Sequence, residues 1–193
     1  MKISANPIHI VCVLDASGSM ASSADKVIKS FNEIISRYKE TFAEEARVSL
    51  YTFGNTVTCA YKNTHLSEAV ELTSDVYSPG GMTALNDAVG KAIEDHTTCE
   101  RVFFVVDTDG FENCSVEYKP DMIRDLIQLK TAAGWDFTFV GADLTQEQVT
   151  QMATSLGMVG ASASMTFDKS EMGYATRSAA LYNKLADYNL KAQ

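Results

Sequence analysis

Positive charge is scarce in this chain of 193 residues: 16 Lys and Arg stand against 25 Asp and Glu, a formal charge of −9. Such a balance disfavours sequence-independent binding to nucleic acid or to anionic lipid, since both need a basic field. No run of five like charges occurs, so there is no acidic or basic tail. The four cysteines (Cys12, Cys59, Cys99 and Cys114) form no CxxC pair, and the three histidines (His9, His65 and His96) are too few and scattered for a zinc site of known spacing. No apolar stretch approaches the roughly 20 residues of a membrane span. The first seven residues leave no room for the apolar core of a signal peptide before a strand-like run begins. These absences point to a soluble protein in a reducing, cytoplasmic setting.

What is present is an ordinary globular composition, 46% hydrophobic and 21% charged, expected to form one domain over residues 1–193. Residues 8–14 (IHIVCVL) and 102–106 (VFFVV) are unbroken apolar runs, as expected of strands covered on both faces. Residues 48–53 and 135–140 read as strands too, and 56–61 as the second arm of a hairpin at a sheet edge. Val27, Phe31, Ile34, Ile35, Tyr38 and Phe42 recur at helical spacing, which predicts a helix over 23–41. Further helical segments are expected at 66–72, from Asn86 as N-cap to His96, over 121–133 ended by Gly134, over 145–156 ended by Gly157, and over 174–188. The alternation predicts an α/β fold with a doubly wound, mostly parallel sheet, one antiparallel edge strand, and helices on both faces.

Three segments fall where such folds bind ligands, at the carboxyl ends of strands. In the first, Asp15-Ala16-Ser17-Gly18-Ser19, residues two apart point the same way, so Asp15, Ser17 and Ser19 bring one carboxylate and two hydroxyls towards one point. Thr83 adds a hydroxyl from a loop that begins Pro79-Gly80-Gly81. Thr108-Asp109-Gly110 adds a second carboxylate. Two carboxylates and three hydroxyls make a hard, all-oxygen donor set suited to Mg²⁺ or Mn²⁺ rather than zinc. An ion held by so little negative charge keeps a net positive charge and can accept one more carboxylate from outside.

The ordered trio Asp15-x-Ser17-x-Ser19, Thr83 and Thr108-Asp109-Gly110, within the segments DASGSM, GGMTALNDAV and TDGFEN, resembles the metal-ion-dependent adhesion site (MIDAS) of von Willebrand factor type A (vWA) domains. The order of strands and helices fits as well, so the resemblance spans essentially the whole chain. It implies direct ligation by Ser17 and Ser19, direct or water-mediated ligation by Asp15 and Asp109, and a Thr83 that exchanges between the two as a partner arrives. It further implies a binding module, not an enzyme, whose metal meets an Asp or Glu of a protein partner. The small form is similar to intracellular members of bacteria and phages, which serve as adaptors, sometimes beside AAA+ ATPases. A phage-encoded member would work in the host cytoplasm.

Asp107 departs from the family pattern, which has an apolar residue there. It shares a strand face with Asp109, as an outer acceptor, a competing ligand or a polar residue satisfied at the strand end. It also completes a second pattern, since residues 103–110 read hhhhDxDG, as in haloacid-dehalogenase-type phosphohydrolases. There Asp107 would be the nucleophile and Asp109 the general acid, with Mg²⁺. A third alternative is a structural, self-assembling protein whose metal site is vestigial. Outside these motifs, Cys12 and Cys99 are expected to be small buried apolar residues, and Trp135 to pack at the start of a strand. Glu112, Asn113 and Cys114 are expected in a solvated loop near the site, with Cys114 the one thiol of interest.

Overall fold

A computed structural model describes residues 7–43, 46–158 and 164–191. Residues 1–6, on which the signal-peptide argument rests, lie outside them. The first apolar run forms β1 (Ile8–Asp15), with all eight residues buried. Ile8, Ile10, Cys12 and Leu14 enter one core layer while Val11 and Val13 enter the other, the alternation a two-faced strand requires. β2 (Ala46–Phe53) pairs parallel with β1, and β3 (Val57–His65) returns antiparallel along β2 as the edge. β4 (Val102–Thr108), β5 (Asp136–Ala142) and β6 (Ser164–Phe167) continue in parallel on the other side of β1.

The sheet order is β3-β2-β1-β4-β5-β6. One core layer lies under α1 (Ala24–Phe42) and α5 (Glu171–Lys191). The other lies under α2 (Leu85–Glu94), α3 (Pro120–Ala132) and α4 (Gln146–Ser155). The α/β fold expected from the sequence is thus observed. The chain winds outward from β1 in one direction and from β4 in the other. The gap between their carboxyl ends is the switch point where doubly wound sheets bind ligands.

Two local expectations are corrected, and one strand was not foreseen. Between residues 66 and 72 only Leu66–Glu68 forms a turn of 3-10 helix. The Asn32 side chain takes over the backbone of Leu72, accepting its N–H at 2.8 Å and donating to its carbonyl at 3.0 Å. Asn86 is not an N-cap, because α2 begins at Leu85 and no side chain of its own segment caps it. Carboxylate and hydroxyl groups from residues 112 and 115 meet its first N–H groups instead. β6 escaped the sequence pattern because its four residues, SMTF, make no apolar run.

His9 and His96 sit edge to face at 6.4 Å in the interior. Burial, then the neighbouring His96 and Arg47 charges, push His9 down to about 4, and burial lowers His96 as well. Below pH 6.5 the unfolded chain therefore takes up protons that the native chain refuses, so this contribution to stability is lost as pH falls from 6.5 towards 4. Between pH 7 and pH 5, His9 alone is expected to remove about 2 kcal/mol. Urea unfolding of wild type and His9→Gln at both pH values checks this: the variant should lose less stability on acidification. An equal loss in both would contradict it.

Candidate functional site

Asp15 closes β1 next to β4, where Leu14 is in register with Asp107. Its buried carboxylate accepts the Ser17 N–H at 2.7 Å on one oxygen and the Thr108 hydroxyl at 2.5 Å on the other. Burial pushes this carboxyl above its usual range, and the bonds from Thr108 and Ser17 pull it back. The hydroxyls of Ser17 and Ser19 lie 3.1 Å apart, and Ser19 donates to Asp109 at 2.6 Å. Asp15, Ser17, Ser19 and Asp109, drawn from two loops, thus form one connected polar chain. Thr83 adjoins it: a β-carbon added to Gly110 would stand 3.6 Å from the Thr83 hydroxyl. All five residues singled out in the sequence therefore gather at the switch point.

Backbone contacts bring the loops this close. Ala16 N–H donates to the Phe53 carbonyl, Gly80 N–H to Ala16, Gly18 N–H to Gly81, and Ala84 N–H to Gly54. Two glycines are needed. A β-carbon on Gly54 would stand 2.7 Å from the Gly80 carbonyl, and Gly81 takes a φ of +75° with the Asn55 side chain where its own would go. Thr83 is clamped from the other side by Asn113, whose side chain accepts its N–H at 2.8 Å and whose own N–H donates to its carbonyl at 3.1 Å.

Glu112 and Asn113 lie in a loop as expected, Asn113 exposed and Glu112 half-buried, but both side chains are tied to backbone. Glu112 accepts the N–H groups of Asn86, Cys114 and Ser115 and the Ser115 hydroxyl. Asp87, which the sequence did not single out, accepts the N–H groups of Val116, Glu117 and Tyr118. Cys114 is partly covered beside the Gly54 carbonyl. Its thiol is held up by burial and by the Glu112 and Asp87 charges, the opposite of activation. Cys12 is buried as expected, and Cys99 is partly buried.

Two cations also went unforeseen. Lys169, in the turn between β6 and α5, pairs with Asp109. Arg177 of α5 pairs with Asp107, and both side chains are almost fully buried. Asp107 is thus held in an internal ion pair, with its other oxygen buried and without a hydrogen-bond partner among the described residues. It faces Arg177 in the interior and is only 2% exposed. A serine and a histidine do meet elsewhere, Ser49 Oγ lying 2.7 Å from His96 Nε2. Both are sealed inside, so no substrate reaches them.

Among the described residues no three His, Cys, Asp or Glu side chains stand together as a metal site. An ion here would depend on Asp15 and Asp109 for charge and on Ser17, Ser19 and Thr83 for neutral oxygens. That donor set fits a hard divalent cation.

The von Willebrand factor type A domain model matches residues 9–174. The chain belongs to the von Willebrand factor type A family. No curated protein matches it by sequence. This vWA fold is similar to the vWF domain of the type V pili tip protein Mfa5 from Porphyromonas gingivalis, at 12% identity and a TM-score of 0.74 over 97% of each chain. It is similar to the pilus adhesin SpaC from Lactobacillus rhamnosus GG, at 14% identity and a TM-score of 0.71 over 96% of this chain and 30% of SpaC. Proximal thread matrix protein 1 from the mussel byssus, a structure with a zinc-occupied MIDAS motif, is 17% identical with a TM-score of 0.68 over 94% of this chain and 46% of its own. The vWA chain thus spans under half of the latter two proteins.

Proposed function

We propose that this vWA domain, acting as one unit over its 193 residues, is a metal-dependent protein-binding module without catalytic activity of its own. In this proposal Asp15, Ser17, Ser19, Thr83 and Asp109 hold Mg²⁺ or Mn²⁺, and the ion receives an Asp or Glu of a protein partner. The observation that carries it is the polar chain from Asp15 through Ser17 and Ser19 to Asp109 at the switch point. The zinc-occupied MIDAS of the mussel protein supports a divalent ion, and the pilus neighbours support a role in protein recognition. When bound, the metal would supply a positive charge that an incoming carboxylate can complete.

The surroundings suit a protein partner. Met82, next to Thr83, and Phe111, two residues after Asp109, are both half exposed, so apolar side chains flank the polar centre. The four unpaired cysteines suit a reducing compartment, and we place the protein in the cytoplasm as part of the proposal.

Probing an array of synthetic peptides with the protein in Mn²⁺ tests this function. Binding should be confined to peptides with Asp or Glu, vanish in EDTA, and fall at least about tenfold in Ser19→Ala, the usual scale for losing one good polar contact. Capture indifferent to EDTA and to Ser19→Ala would contradict it.

A further inference from the structure

Among the described residues Lys169 is the one cation seated on the polar centre, and its position is built in rather than incidental. Its N–H donates to the Asp143 carboxylate at 2.9 Å, and its carbonyl accepts the Lys26 ammonium at 2.8 Å. Asp143 is fixed in turn, with a φ of +53° and its N–H on the Phe167 carbonyl at the end of β6. The backbone being pinned at both ends, the side chain reaches across to Asp109 and comes within 3.4 Å of the Ser19 carbonyl. Little of either side chain is exposed, 17% for Lys169 and 4% for Asp109. The Asp109 carboxylate is thereby fully engaged, one oxygen by the Ser19 hydroxyl and the other by the ammonium.

We infer that Lys169 is a built-in counter-cation that competes with the divalent ion for Asp109 and so sets the affinity of the site for metal. The inference rests on the metal-binding function proposed above. The Ser19 hydroxyl can turn its hydrogen away and offer a lone pair, but an ammonium has no lone pair to offer. A divalent ion ligated by Asp109 shares that carboxylate with a second positive charge. If Lys169 stays, like charges repel across a poorly solvated gap; if it leaves, a largely covered ion pair is broken. Both routes weaken metal binding. The same pair neutralises Asp109 when no metal is bound, so the loops keep their arrangement and the ion enters a formed site.

Two opposite effects follow from removing the ammonium. Lys169→Met leaves Asp109 covered and unpaired, so the variant should melt at a lower temperature than wild type in EDTA. It should also bind Mn²⁺ more tightly by on the order of tenfold or more, because one repelling charge is gone. Lys169→Arg keeps the charge and should stay near wild type in affinity.

The experiment is calorimetric titration of Mn²⁺ into the full chain, for wild type, Lys169→Met, Lys169→Gln and Lys169→Arg, with circular dichroism to confirm folding. Lys169→Gln keeps a polar end and serves if the Met variant does not fold. Tighter binding in the neutral variants together with wild-type binding in Lys169→Arg supports the inference. Equal or weaker binding in the neutral variants, with wild type still binding, overturns the inference alone and leaves the metal site standing. Silence of wild type and neutral variants alike overturns both.

Discussion

Arg177→Met is expected to destabilise the protein by about 3–5 kcal/mol, the range for breaking a buried ion pair by removing one partner. Both side chains are almost fully covered, and Arg177 also donates to Ser30 at 3.3 Å and lies over the Phe167 ring at 5.8 Å. Without the guanidinium, Asp107 is left as a charge in the core between β4 and α5. Burial already pushes its carboxyl up against the pull of Arg177, so in the variant the native state would take a proton and the loss should be smaller at pH 5 than at pH 7. The double variant Asp107→Leu/Arg177→Met should recover most of the loss, because an apolar pair replaces a costly ionic one. Urea unfolding measures all three. A loss below about 1 kcal/mol in the single variant would contradict the pairing.

Asp87→Ala is expected to lose about 2–4 kcal/mol, since three backbone N–H groups share its carboxylate and each bond to a charged acceptor is worth roughly 1.5–3 kcal/mol before water replaces part of it. The effect should spread to the site. Asp87 stands in the first turn of α2, three residues past Ala84, and holds the segment that also carries Asn113 and so clamps Thr83. Hydrogen exchange reads this directly: the amides of Val116, Glu117 and Tyr118 should lose protection first. Unchanged protection there would show that the loop is held by other contacts.

The parts of this structure visible in the sequence are those written in short-range pattern. The apolar runs of β1 and β4 mark strands buried on both faces. The Thr145 start with its capping box to Gln148, and Gly134 and Gly157 at φ of +96° and +87°, mark helix ends. The switch-point residues were legible because each motif is local: those of Asp15 and Asp109 directly follow β1 and β4, and Thr83 lies just before α2. Lys169, Arg177 and Asp87 were not legible, for they act on residues 60, 70 and about 30 positions away, a distance at which spacing carries no signal. Asn86 misled for the same reason: acceptors from residues 112 and 115 do the capping, so the local residue need not. β6 is too short to show a period and is defined by its pairing with β5.

Stability against metal concentration is the measurement that bears most directly on the site. Thermal unfolding of wild type, Asp15→Asn and Ser19→Ala would be followed in EDTA and across a Mg²⁺ and Mn²⁺ series. An ion that binds only the native state adds RT ln(1 + [L]/Kd), about 2.7 kcal/mol at a hundredfold excess over Kd. Wild type should rise along that curve while both variants stay flat or shift to far higher metal concentration. A wild type indifferent to millimolar metal, or variants that rise with it equally, would contradict a metal site built from Asp15, Ser17, Ser19, Thr83 and Asp109.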